Sequence, residues 1–117
     1  MVIPAERHVF DGRDELMIIA PDGIAPGENI GFAIDYSGLL ARSVLGPGAT
    51  IVASSWAPQL VYTDNIKVSD TISPSGSMAI IVLSGCTVYN TYHWINTIKL
   101  STGEIYVRTL VVDGVPK

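Results

Sequence analysis

The sequence predicts an all-β domain: an antiparallel β-sandwich of about seven to eight strands. Three observations carry that expectation. Short apolar runs with side-chain period two recur along the 117 residues. Gly- and Pro-containing turns separate them at fairly even intervals. No long stretch carries the three-and-four apolar spacing of an amphipathic helix, and evenly spaced short strands are what a two-sheet architecture requires.

The chain divides into an N-terminal arm over residues 1–28 and a sandwich over 29–117. Pro4, Gly12, Pro21, Gly23, Pro26 and Gly27 punctuate the arm. Two short strands fit there, roughly Arg7 to Phe10 and Glu15 to Ala20, with Asp11-Gly12-Arg13-Asp14 as the turn between them. Asn29 to Tyr36 alternates, with Ile30, Phe32, Ile34 and Tyr36 on one face. Ser37-Gly38 ends it, and Leu39 to Leu45 forms one helical turn or a crossing loop. Thr50 to Trp56 is the next strand, stopped by Ala57-Pro58 because proline has no N–H for a ladder. Leu60 to Tyr62 and Asn65 to Val68 are short strand candidates. Ser73-Pro74-Ser75-Gly76 turns the chain into three runs that read as a meander: Met78 to Leu83, Tyr89 to Leu100 and Glu104 to Val112. In the second run Tyr92, Trp94, Asn96, Ile98 and Leu100 share a face, and His93 and Ile95 lie on the other.

Composition limits the function classes. Apolar residues make up 48% of the chain and charged residues 15%. That surplus requires either a dense core or a surface covered by partners. A net charge of −4, with seven scattered basic residues, argues against nucleic acid and anionic membrane as partners. The single cysteine, Cys86, allows no intrachain disulfide and fits folding in a reducing cytoplasm. Neither a signal peptide nor an apolar run of membrane-spanning length is seen.

Chemistry-bearing residues are sparse. His8 and His93 are the two histidines, far apart in sequence, so neither a triad nor a metal site is assembled from them. Cys86, in a turn beside Gly85, reads as a semi-buried filler rather than a nucleophile. Asp11, Asp14, Glu15 and Asp22 are the densest acidic group but lack the alternating ligand pattern of a calcium loop, and read as a solvated turn. No cofactor is expected. Large aromatics usually fill a sandwich core, which places at least one of Trp56 and Trp94 inside. Tyr92 stands where an inward tyrosine of the penultimate strand bonds near a corner. Ile81, Leu83 and Ile95 fall on faces away from their inward neighbours, and Glu104 to Val112 is apolar on both faces; such second faces mark contact with another chain.

The succession Phe32-Ala-Ile-Asp-Tyr-Ser37, Thr50-Ile-Val-Ala-Ser-Ser-Trp56, Ser84-Gly85, Tyr92-His-Trp-Ile-Asn-Thr-Ile98 and Ser101-Thr-Gly103 resembles small immunoglobulin-like virion proteins of tailed bacteriophages, of the fibre–tail adaptor type. The resemblance spans roughly Asn29 to Val112. Cys86 departs from it where a second glycine is common, and Trp94 where a smaller apolar residue is usual. It implies an immunoglobulin-like sandwich and a non-enzymatic structural protein of the virion tail or neck, present in multiple copies in a ring-like assembly. Expected partners are other virion proteins: portal or neck, tail or fibre subunits. The expected contacts come from the arm and one set of loops, through Ile3, His8, Phe10, Leu39, Leu40 and Trp56. The alternative is a carbohydrate-binding sandwich, which requires Trp56 or Trp94 to be accessible to solvent.

Overall fold

The structure is a computed structural model that describes residues 9–11, 17–20, 22–43, 45 and 48–116. Among the described residues eight strands and one short helix follow in the order β1 (Val9–Asp11), β2 (Met17–Ile19), β3 (Asn29–Asp35), α1 (Ser37–Ala41), β4 (Ile51–Pro58), β5 (Ile66–Ile72), β6 (Met78–Ser84), β7 (Thr91–Leu100) and β8 (Ile105–Asp113). One sheet has the order β1-β3-β6-β5 and the other β2-β8-β7-β4. This is the immunoglobulin-like arrangement, with β1 at the edge of one sheet and β2 at the edge of the other. The five-residue α1 carries the chain from one sheet to the other.

The alternation read from sequence places the core. Ile30, Phe32, Ile34 and Tyr36 face Tyr92, Trp94, Ile98, Leu100, Leu110 and Val112 across the sandwich, all buried. Strands β1 and β2 pair in parallel with β3 and β8 respectively. Ile18, Ala20 and Ile24 belong to the core. Residues 17–20 and Ile24 thus pair with and pack on the strands of the sandwich. Within the acidic turn Asp11 closes β1, and Gly12, Arg13, Asp14 and Glu15 lie outside the described residues.

The meander is not what forms. β6 pairs with β3 and β5, whereas β7 pairs with β4 and β8 in the opposite sheet. Residues 85–90 thus cross between sheets instead of closing a hairpin. Period-two strands joined by a short Gly-containing loop read alike in the two cases. Gly85 has φ +77°, and a Cβ there would come within 2.6 Å of the Asp64 carbonyl oxygen, so the crossing packs tightly against the β4–β5 loop. The expected strand at Leu60 to Tyr62 is part of that loop, and β5 extends past Val68 to Ile72. Ile81 and Leu83 face inward and are fully buried, so Ile80 and Val82 take the outer positions expected for them.

Candidate interaction surfaces

Three polar clusters, two at loops and one mid-core, set the geometry of the sandwich's surfaces. At the β6–β7 corner the Tyr92 hydroxyl donates to Asp64 Oδ2 at 2.5 Å and accepts the Thr87 amide at 2.7 Å. Thr87 Oγ1 donates to the same carboxylate oxygen at 2.6 Å. The Thr87 and Tyr92 hydroxyls together hold the Asp64 carboxyl below its ordinary range. Beneath this corner Trp94 Nε1 donates to Asn65 Oδ1 at 2.7 Å, and Asn65 Nδ2 donates to the Gly85 carbonyl at 2.6 Å. Tyr62 packs edge-on to Tyr92, with centroids 5.0 Å apart. One aspartate and one asparagine thus lock two inter-sheet loops together.

The second cluster lies mid-core. Tyr36 donates to Asn96 Oδ1 at 2.8 Å, and Asn96 Nδ2 donates to Ser54 Oγ and the Ser55 carbonyl, both at 3.0 Å. Burial raises the Tyr36 pKa, an effect that the nearby Arg108 charge partly offsets. At the β7–β8 turn Glu104 accepts from Ser43, from Thr102 at 2.8 Å and from Tyr106 at 2.6 Å; these bonds, Ser43 first, lower its pKa. These bonds tie loops and strands of the sandwich to one another through side chains. Cys86 is half-buried, with Sγ donating to the Ile24 carbonyl at 3.1 Å, and burial raises its pKa. A raised thiol pKa suits a filler and not a nucleophile. Among the described residues no group of three His, Cys, Asp or Glu side chains converges as a metal site.

Many of the exposed apolar residues concentrate in two places, whereas Leu45 and, on β5, Ile66 and Val68 are exposed outside both. The loops at the Asp64–Tyr92 end carry Leu60, Val61 and Tyr89, with Val61 93% and Tyr89 83% exposed. Tyr89 holds φ +71°, a left-handed conformation rare for a non-glycine residue, and its amide donates to the Gly114 carbonyl at 2.8 Å. Between these residues a shallow depression is lined by Val61, Asp64, Thr87, Asn90 and Thr91. The second place is the outer face of β2-β8-β7-β4. Met17, Ile19, Ile105 and Val107 there are 55, 64, 63 and 46% exposed. Ile95 and His93 lie half-buried on this face, as their alternation in the sequence required.

Of the residues expected to meet a partner, Ile3 and His8 lie outside the described residues, and Phe10 lies in β1 beside Ile34 of β3. Leu39, Leu40 and Trp56 are 5, 6 and 5% exposed and belong to the chain's own core. Large apolar side chains in a crossing segment are as useful for sealing the end of a sandwich as for binding, and sequence does not separate the two uses. Trp94 is 3% exposed, so neither tryptophan is available as a sugar platform. Sequence reasoning missed Met17, Ile19, Val61 and Tyr89. A signal existed in β8, where Tyr106 and Arg108 alternate with Ile105 and Val107. The polar pair takes the inward phase, with Arg108 itself buried, and the aliphatic pair is left outside.

The fold and its surfaces define a small immunoglobulin-like β-sandwich whose outward chemistry is contact. Comparison with family models assigns it more closely. The chain belongs to the family of the podophage GP4 fiber-tail adaptor protein gp77, whose model matches residues 25–113. It is a structural protein of the phage tail. Comparison with curated proteins finds no match. Among solved structures the chain is similar to the cysteine protease inhibitor EhICP2 from Entamoeba histolytica, at 14% identity over 94% of each chain with a TM-score of 0.45. It is also similar to the PKD domain of the KIAA 1837 protein, at 12% identity over 88% of this chain and 81% of that one, with a TM-score of 0.40.

Proposed function

We propose that this adaptor docks on other virion proteins, tail or neck subunits on one side and fibres on another, through the loop end that presents Leu60, Val61 and Tyr89 together with the N-terminal arm. The carrying observation is Tyr89. An aromatic ring is held out in solvent by a left-handed backbone, and the crossing that bears it is pinned by Tyr92, Asp64 and Gly114. Rigid aromatic anchors next to an aliphatic side chain have the character of interface hot spots. Ile3, His8 and Phe10 of the arm extend the contact. Arm and loops together are sufficient for an interface of ordinary size, about 1,200–2,000 Å². Several copies would then sit around the tail in a ring-like assembly.

The test uses particles lacking this protein, reconstituted with purified chain. Val61→Asp, Tyr89→Asp and a chain without residues 1–8 are each checked for fold by circular dichroism and then for incorporation. Folded variants that fail to join the particle support the reading. Full incorporation of Val61→Asp and Tyr89→Asp overturns the loop end as the docking element. Unfolding on removal of residues 1–8 shows that the arm belongs to the core.

A further inference from the structure

We infer that the outer face of the β2-β8-β7-β4 sheet is a self-association surface, and that its occupant is the same face of a second copy related by a two-fold axis. This goes beyond the docking reading above and does not use the loop end.

The inter-strand register lays out the face. Lys99 of β7 stands beside Ile105, Thr97 beside Val107, Ile95 beside Thr109, His93 beside Val111 and Thr91 beside Asp113. On the β8 edge Met17 stands beside Thr109 and Ile19 beside Val111. On the β4 side Ala53, Ser55 and Ala57 stand beside Lys99, Thr97 and Ile95. The middle of the face is thus Met17, Ile19, Ile95 and Val107. Among the described strand residues its formal charges are two: Lys99 near one end and Asp113 at the other.

Those two charges select the occupant. Lys99 and Asp113 are separated by eight residues of ladder, about 26 Å along the strands. A two-fold axis lying between two such faces, perpendicular to the strands and passing near Ile95 and Thr109, brings Lys99 of each copy to Asp113 of the other. The same operation sets Met17 against Met17 and Val107 against Val111, with Ile19 on the neighbouring strand beside Val107, and it places Asp113 over Ile105 beside Lys99. The two charges are complementary to themselves and the central aliphatic side chains meet one another, as an isologous interface requires. Asp113 is held in place for this by the Thr91 hydroxyl, which donates to it at 2.9 Å. The four strands hold 3, 9, 10 and 8 residues, and at about 3.3 Å per residue and about 4.8 Å between strands they project to roughly 475 Å². Side-chain relief raises the accessible area above that projection, to the lower end of what specific interfaces bury, about 600–1,000 Å² per partner.

Sedimentation equilibrium of the full chain, from low micromolar to submillimolar concentration, tests the inference. A monomer–dimer equilibrium is expected. Ile19→Lys and Val107→Lys place charge in the dry centre and raise the dissociation constant by about a hundredfold or more. Lys99→Glu alone sets like charges together and weakens the dimer by roughly tenfold; adding Asp113→Lys in the same chain restores it. All four positions are at the surface, and a thermal melt confirms that each variant is folded. A monomer at every concentration overturns the inference and leaves the face to a different virion protein. So does a dimer indifferent to Ile19→Lys and Val107→Lys, or a charge reversal that the second substitution fails to rescue. Assembly of the Val61→Asp and Tyr89→Asp chains into the same dimer separates this surface from the docking end.

Discussion

The Tyr92 hydroxyl and the Asp64 carboxylate meet at 2.5 Å across the gap between two inter-sheet loops, with Tyr92 on β7 and Asp64 just before β5. That bond ties the β6–β7 crossing to the β4–β5 loop and holds the end of the sandwich that presents Val61 and Tyr89. Removing the hydroxyl leaves the Thr87 amide and the carboxylate each short of a partner. Tyr92→Phe is therefore expected to cost about 1–3 kcal/mol. Urea unfolding should show a lower midpoint with an unchanged slope. An unchanged midpoint would show that solvent replaces the bond without loss.

Acid should loosen the same end and the β7–β8 turn. Hydrogen bonds hold the Asp64 and Glu104 carboxyls below their ordinary values, led by Thr87 at the first and Ser43 at the second. As pH falls, the unfolded chain takes up these protons first, near about 3.9 for an aspartate and 4.3 for a glutamate. The stability they supply is complete above those values and is lost as pH drops through the lower folded values. Urea midpoints measured from neutral to acid pH should decline over that window. The decline should be shallower in the Asp64→Asn, Glu104→Gln double variant, and an equal slope in the two chains would count against it.

The two tryptophans should respond differently to the same substitution. Trp94 Nε1 donates to Asn65, whereas Trp56 Nε1 is buried without a partner among the described residues. Trp94→Phe orphans the Asn65 side-chain oxygen Oδ1 and adds about 1–3 kcal/mol to the loss of ring packing. Trp56→Phe removes a donor that is already unsatisfied and should cost only packing. Comparing the two denaturation midpoints decides this, and equal losses would be the adverse result.

Both rings being buried, native tryptophan emission should be blue-shifted and resistant to acrylamide. Added glycans should leave it unchanged. A red, readily quenched spectrum would return the carbohydrate-binding alternative to consideration.

Gly114 should resist replacement although its φ is not positive. A Cβ there would lie 2.2 Å from the Thr87 carbonyl oxygen, on backbone that cannot swing aside. Gly114→Ala is expected to cost about 1–3 kcal/mol or more, because overpacking at a close approach forces the backbone to move. A thermal melt that matches the native chain would show that the crossing has slack.

Much of the fold was legible because it follows from local rules. The alternation in Asn29 to Tyr36 and in Tyr92 to Leu100 marks the inner faces, and the burial of Ile30, Phe32, Tyr92 and Trp94 follows from it. The surfaces were less legible. Leu39, Leu40 and Trp56 were expected at a partner and are core; Met17, Ile19, Val61 and Tyr89 were not expected there and are exposed. Hydrophobicity states that a side chain gains by leaving water but not which neighbour removes it.

By itself the sequence determined the class of fold, the positions of most strands, the inward phase of β3 and β7, and the family kinship carried by their motifs, since period, turn chemistry and side-chain size act within a few residues. Tertiary structure alone decided that β6 and β7 part into opposite sheets, that β8 turns Arg108 inward and Val107 outward, and that Met17, Ile19, Ile105 and Val107 share one exposed sheet face. Those outcomes depend on pairings between residues distant along the chain, where the free energy of a contact is set by what meets across space.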